Sequence, residues 1–213
     1  MKKSGNSLGK KRIGKRQKTP MRLYTNIPND FNYVKCELAD TIGVASTGIS
    51  TFTFQNGAVS YLPIQVVLGS SASFSQYQFE YTRYKVTGVS VTAAQCSSPE
   101  HLRIAFGQGG PGCAIAFYPQ NTTQGMGNGP RNKDNAMIIY PNVGHVQKKY
   151  WNIPDGYMDT GTNGLGTWNS TQSITNQTGQ LHLAPLEDNQ AAGPINVYLL
   201  RVIVYVVFSG KND

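Results

Sequence analysis

The stretch "INVYLLRVIVYVVF", residues 195–208, decides the fold class of this chain. From Tyr198 to Phe208 the even positions are all apolar, whereas the odd positions include Arg201 and Tyr205, and Asn196 precedes this alternating run. A period of two with many β-branched residues is typical of a strand that has one face in a core and one partly polar face. The even residues predicted to face the core are Tyr198, Leu200, Val202, Val204, Val206 and Phe208.

The length of this stretch also predicts its place in a sheet. Fourteen residues exceed the usual strand of about five or six, and such a strand at an exposed edge would invite aggregation. We therefore expect it to lie inside a sheet. The run is also interrupted by Asn196 and Arg201 and is too short for a comfortable membrane-spanning helix, so we expect no membrane insertion.

Shorter segments alternate in the same way along the rest of the chain. Gly and Pro together account for 34 of the 213 residues, and no long segment shows a helical apolar period. Alternation between turn-rich spacers predicts strands of antiparallel sheets. The further predicted strands are 33–38, 51–54, 86–93, 101–106, 113–118, 136–140, 146–153 and 181–183.

Two other features shape the predicted domain. "FSQYQFEYTRY" (74–84) spaces its rings at three- and four-residue steps, which fits a short helix leading into the strand at Val86. The segments 118–135 and 155–180 are long loops of a kind that is usually functional or interfacial. We predict an all-β fold in which residues 31–213 form a single domain, an eight-stranded antiparallel jelly-roll β-sandwich. A smaller sandwich would need fewer and shorter connections.

The formal charge of +8 is concentrated at one end of the chain. The first 22 residues contain nine basic residues and no acid, while residues 23–213 contain ten basic and eleven acidic residues and net −1. We predict a disordered basic arm and linker over residues 1–30, because this segment has too little apolar surface to offset its ordering entropy. The basic residues of the arm are Lys2, Lys3, Lys10, Lys11, Arg12, Lys15, Arg16, Lys18 and Arg22.

A cationic arm on a nearly neutral body usually meets a polyanion. Lys and Arg side chains neutralise phosphates and release counterions, so these nine residues are the predicted nucleic-acid-binding site. Lys10, Lys11, Arg12, Lys15 and Arg16 are also a candidate nuclear localisation cluster. A purely solubilising tail is the alternative. No apolar segment follows the basic residues, so we do not expect a secretory signal.

Catalytic and metal-binding patterns are sparse. The three cysteines and three histidines show no nucleophile or ligand spacing, and we expect no enzyme activity and no cofactor. Asp155 and Asp159, in "DGYMDTG", are weak candidates for a cation site at a subunit contact, with turn chemistry as the alternative. "KKYW" (148–151) is a second candidate for nucleic-acid contact by charge and stacking, with a solvated strand face as the alternative.

Three stretches carry a family resemblance: "GKKRIGKRQK" (9–18), "FEYTRYKVTGVSVT" (79–92) and "VYLLRVIVYVVFSGKND" (197–213). Together with the basic arm and one β-rich domain, they resemble capsid proteins of small icosahedral viruses, above all the circular, Rep-encoding single-stranded DNA viruses (circovirus-like). The arm departs from the most Arg-rich arms of that group, because it contains six Lys and only three Arg. Coats of satellite RNA viruses are similar in size and layout.

The resemblance implies a function. About sixty copies would form a T=1 shell with inward arms, supplying on the order of 540 positive charges to a single-stranded genome, with DNA favoured over RNA. It implies location in the virion and in the host nucleus during assembly, with host import factors and a host receptor as further partners. A lectin-like jelly-roll module and a cupin-type enzyme are alternatives, the latter disfavoured because three isolated histidines cannot supply a clustered ligand set.

Overall fold

The computed structural model describes residues 31–44, 52–55, 60–98, 112–119, 129–140, 146–155, 164–174, 179–186 and 195–212. The predicted arm and linker (1–30) and the predicted strand 101–106 lie outside these residues. Described elements comprise ten strands, two short α-helices and a 3₁₀ turn, Gly129–Asn132. The strands are β1 (Phe31–Val44), β2 (Phe52–Phe54), β3 (Tyr61–Pro63), β4 (Tyr81–Gln95), β5 (Cys113–Tyr118), β6 (Met137–Ile139), β7 (Gln147–Asn152), β8 (Asn169–Ser170), β9 (Gln180–Pro185) and β10 (Ile195–Lys211); the helices are α1 (Ile64–Gly69) and α2 (Ala72–Tyr77).

The strands form two antiparallel sheets that confirm the predicted jelly-roll sandwich. The larger sheet has the order β2-β1-β10-β4-β7, with β8 pairing to β4, and the smaller has the order β3-β9-β5-β6. Without the short strands β2 and β8, eight strands remain, four in each sheet. When these eight strands are numbered 1 to 8 along the chain, their order is 1-8-3-6 in the larger sheet and 2-7-4-5 in the smaller sheet. The chain therefore crosses repeatedly between the two sheets, as in a double-sheet jelly roll.

Strand β10 lies at the centre of the larger sheet, as its length and composition predict. It pairs with β1 along one side and with β4 along the other. All six even residues from Tyr198 to Phe208 are at most 1% exposed, which confirms the predicted core face. The long apolar strand is thereby protected on both edges and on one face.

Helices α1 and α2 pack against each other and against β1 of the larger sheet. Ser71 caps α2, because its Oγ accepts a hydrogen bond from the Phe74 backbone N–H at 3.4 Å. The Phe74 ring then packs edge-on against Tyr84 at 5.0 Å and tilted against Phe208 at 5.3 Å. The short helix predicted within residues 74–84 therefore exists, although it ends at Tyr77 and β4 begins at Tyr81. Among the described helices, none is long and apolar enough to cross a membrane.

The smaller sheet is covered on both of its faces. Leu181 and Leu183 point into the core, and His182 lies on the opposite face of β9. A polar side chain on an alternating strand usually faces solvent, but His182 is fully buried. Its ring stacks on Tyr61 at 5.7 Å and meets Tyr118 edge-on at 4.8 Å, and its Nε2 lies 2.9 Å from Gln180 Oε1.

Burial of His182 should make the fold acid-sensitive. Loss of solvation, and secondarily the nearby Lys133 cation, lower the pKa of His182 from 6.5 to about 4. The unfolded chain therefore takes up this proton at a higher pH than the folded chain does. The contribution of neutral His182 to the free energy of unfolding is complete above pH 6.5, and it declines towards pH 4 by at most about 1.4 kcal/mol per pH unit. Denaturant midpoints measured from pH 7 to pH 4 should fall more steeply for the wild type than for His182→Gln, and parallel profiles would contradict this assignment.

Candidate nucleic-acid interface

The outward surface of the larger sheet carries most of the rings and cations that the described body exposes. On β1 the odd residues face outward, because the even residues Val34, Cys36 and Leu38 are buried. The outward residues of β10, β4 and β7 are aligned with them across the sheet. We call this surface the basic–aromatic face, and it comprises Phe31, Tyr33, Lys35, Arg83, Lys85, Lys148, Tyr150, Trp168, Arg201 and Tyr205.

A β-bulge in β4 places two of these cations. The register skips Thr87, since Tyr205 pairs with Gly88 while Val206 pairs with Val86. Simple alternation from the buried Val89 would turn Arg83 and Lys85 towards the core. The extra residue reverses the facing of the strand before it, as bulges do. Val86 is therefore buried, and the two cations lie on the outward surface.

Trp168, just before β8, is the centre of the first cluster on this face. The Arg83 Cζ and Lys85 Nζ atoms lie 5.3 and 5.1 Å from the centroid of its indole ring, within the range of cation–π attraction. The ring of Phe31 lies 5.9 Å away, tilted by 34°. Trp168 is still 37% exposed, so part of its side chain contacts solvent.

Tyr205 of β10 is the centre of the second cluster. The ring of Tyr150 meets it edge-on at 5.5 Å, and Lys35 Nζ lies 5.9 Å from its centroid. The Tyr150 ring lies over Gly88, where an added Cβ would come within 2.3 Å of the Tyr150 hydroxyl oxygen. The glycine therefore lets the two tyrosines meet. Tyr150 is 47% exposed and Tyr33 is 66% exposed, so this cluster also presents ring surface to solvent.

The basic–aromatic face has an excess of positive charge. Glu37 Oε1 and Oε2 accept hydrogen bonds from Arg201 at 2.5 and 2.6 Å, which lowers the pKa of that carboxyl. Asp155 Oδ1 accepts from Lys85 Nζ at 2.7 Å. Within the described ranges, Lys35, Arg83 and Lys148 have no acidic partner. Three cations thus remain to meet an anion.

The structure separates the residues of the "KKYW" candidate. Lys148 and Tyr150 lie on the basic–aromatic face, whereas Trp151 points into the core. The Trp151 Nε1–H donates to the Asn135 carbonyl at 2.9 Å, and its ring packs 6.2 Å from that of Phe117. The expectation that this tryptophan could stack on a base is wrong. The tryptophan on the open face is Trp168, which no sequence pattern indicated.

The remaining predicted site residues fall in two groups. The nine cations of the arm lie outside the described residues, and so does Asp159. Asp155 is described, and its carboxylate already forms an ion pair with Lys85. In the part of the chain that the structure describes, no three His, Cys, Asp or Glu side chains cluster in a way that could hold a metal ion.

The three cysteines are free thiols. Cys36 and Cys113 are fully buried in the core, and burial raises the pKa of both thiols, that of Cys36 to about 11. Cys96 is exposed, and its pKa is also raised, mainly by partial desolvation. Burial thus disfavours the thiolate that nucleophilic chemistry requires, most strongly at Cys36 and Cys113.

Known proteins share this architecture but not this sequence. No protein-family model matches the chain, and no curated protein matches it by sequence. Solved structures do match. They include a virus-like particle of the giant freshwater prawn Macrobrachium rosenbergii nodavirus (TM-score 0.54, 9% identity, 88% of this chain and 98% of that one).

Two further structures match in the same way. One is a T=1 subviral particle of a Penaeus vannamei nodavirus capsid protein deletion mutant (TM-score 0.54, 9% identity, 85% and 98% of the two chains). The other is Cocksfoot mottle virus (TM-score 0.52, 5% identity, 85% and 97%). At these identities the likeness shows the fold alone. The two sheets form the jelly roll of viral capsid proteins, as the strand pattern predicts.

Proposed function

We propose that this chain is the capsid protein of a small icosahedral virus and packages a single-stranded genome with its basic arm. The observation that carries the proposal is the viral jelly-roll topology, shared over 85–88% of the chain with three capsid structures. The charge distribution supports it, because all the excess positive charge lies in residues 1–22 and the body nets −1. A neutral body suits close subunit contacts, and a cationic arm suits a phosphate backbone.

Under this proposal about sixty copies assemble into a T=1 shell, so part of the surface of the body is buried between copies. Beyond the basic–aromatic face, Phe79 is 71% exposed, Val146 is 65% exposed and Tyr140 is 56% exposed. We infer that these side chains lie at contacts between copies of this chain.

The sequence resemblance to circovirus-like coats favours DNA as the packaged strand, with the RNA of a satellite-type virus as the alternative. Under the same proposal, Lys10, Lys11, Arg12, Lys15 and Arg16 serve as the nuclear import signal that a nuclear assembly site requires. The further partners would be host import factors and a host receptor, and the final location would be the virion.

Electron microscopy of the purified protein tests the assembly proposal. Sixty copies of a 23.2 kDa chain have a mass of about 1.4 MDa and should form closed shells about 15–20 nm across. Digestion of the protected nucleic acid with DNase or RNase would then identify the strand. A protein that stays a monomer or small oligomer over a range of salt and concentration would contradict the proposal.

A further inference from the structure

We propose that the basic–aromatic face is a second site for single-stranded nucleic acid, one that binds bases by stacking on Trp168 and acts independently of the arm. The inference deepens the proposed function and rests on it for the source of the strand, a packaged genome. The occupant it commits to is an unpaired strand of DNA or RNA, whose bases are free to stack and whose phosphates are negative.

The chemistry of the Trp168 cluster supports this occupant. Sequence-independent binding of single strands combines rings that stack on bases with cations that follow the phosphates. The Trp168 indole is partly exposed and has Arg83 and Lys85 within about 5 Å of its ring centroid. A base that stacks on this indole would therefore bring its phosphates close to both cations.

The wider face has the length and the charge that a short strand requires. From Phe31 to Lys35, alternate outward residues extend about 14 Å along β1, which is the length of about four stacked nucleotides. The rings of Tyr33 and Tyr150 are exposed on this surface. Lys35, Arg83 and Lys148 have no acidic partner among the described residues and can therefore meet phosphates.

The connection to the arm favours a nucleic acid over another occupant. Phe31 is the first residue of β1 and follows the predicted arm and linker in sequence, and its ring contacts Trp168. Arg22, the last cation of the arm, is nine residues before Phe31 and can lie at most about 30 Å away. Chain connectivity thus keeps the last cation of the arm within reach of this cluster, so a single strand can contact both sites.

The first test uses tryptophan fluorescence of the full-length chain. The chain has two tryptophans, and Trp151 is buried at 4% exposure, so a stacked base should quench mainly Trp168. Oligo(dT) and oligo(U) of twenty nucleotides are added to dissociated subunits, while light scattering records assembly. Strong quenching by either strand is expected for the wild type, and Trp168→Phe should remove most of it while keeping the binding. Binding without quenching would overturn the stacking site.

The second test separates stacking from charge. Trp168→Leu should weaken oligonucleotide binding about 5- to 150-fold, yet leave the dependence of affinity on salt unchanged, because no phosphate contact is lost. Tyr140→Leu is the matched control in dissociated subunits, where no contact between copies is involved, because this exposed ring lies next to the smaller sheet; it should bind like the wild type. A Trp168→Leu affinity equal to that of the Tyr140→Leu control would overturn the inference.

A matched pair of lysines tests the charge of the face. Lys148 points outward, whereas Lys149 lies on the other side of β7 with Trp151. Lys148→Gln should reduce the salt dependence and Lys149→Gln should not. An equal effect of the two would overturn the predicted role of the Lys148 side chain in the site.

Crosslinking needs no variant and covers the case in which Trp168→Leu misfolds. Ultraviolet crosslinking of 5-bromouracil-substituted strands to the full-length wild type should label the peptide that contains Trp168 or Tyr33, besides any label in the arm. Label in the arm alone would overturn the inference and leave the capsid proposal intact. Labelling at Trp168 in a protein that forms no particles would support the inference and contradict the capsid proposal. Quenching on assembly without nucleic acid would instead assign the face to a second copy of this chain, and so also overturn the inference.

Discussion

Leu200→Ala is expected to reduce the free energy of unfolding by about 2–5 kcal/mol, and Leu199→Ala to change it by less than about 0.5 kcal/mol. The two leucines are consecutive residues of β10, the central strand of the larger sheet. Leu200 is 1% exposed in the core, and its removal leaves a cavity. Leu199 is 49% exposed on the outward side. The total stability of a domain of this size is about 5–15 kcal/mol, so the first change would remove a large part of it.

This pair has a built-in control, because residue type, strand and backbone pairing are matched and only the face differs. The measurement is denaturant unfolding of dissociated subunits, followed by circular dichroism and fluorescence at equal protein concentration. The difference between the two midpoints reports burial alone. Similar losses for the two variants would show that the sandwich does not pack as described.

Replacing all nine basic residues of the arm by glutamine is expected to remove most of the affinity for single-stranded nucleic acid. If all nine contact phosphates, the slope of log K against log salt concentration should be about −6 for the wild type. Raising the salt from about 50 to about 200 mM should then weaken binding by roughly 10³–10⁴. The glutamine variant should show a shallow slope, set by the body. Fluorescence anisotropy of a labelled strand measures both.

Two companion variants show what the arm contributes. Replacing its six lysines by arginine keeps every charge, so affinity and slope should stay close to those of the wild type. Deletion of residues 1–22 should leave the circular dichroism of the body unchanged and strip nucleic acid from particles. The ratio of absorbance at 260 nm to that at 280 nm measures this loss, and an unchanged ratio would refute the role of the arm in packaging.

The strands could be predicted from sequence because the side-chain direction in a strand depends on local geometry. Alternation identified β10 and its core face, and the turn-rich spacers separated the other strands. Three features could not be predicted in this way. They are the burial of Trp151 in the core, the burial of His182, and the facing of the residues before the β4 bulge, all of which depend on neighbouring strands.

The basic–aromatic face shows the same difference between what local sequence predicts and what strand pairing decides. Phe31 and Trp168 are 137 residues apart in sequence, and Lys35 and Tyr205 are 170 apart, yet each pair is within 6 Å in space. No periodicity connects such residues. The sheet order and the strand register bring them together, and a single extra residue at Thr87 turns Arg83 and Lys85 outward.

By itself, the sequence determined that the body is an all-β sandwich, that β10 is buried on its even face, and that the excess charge lies in residues 1–22. Each of these follows from composition or from a repeat of two residues, both of which are local properties. The tertiary structure alone decided that Trp168, and not Trp151, shares an outward face with Arg83 and Lys85 near the start of β1. Burial of a ring depends on which strands become neighbours, and that pairing is set by packing of the whole core.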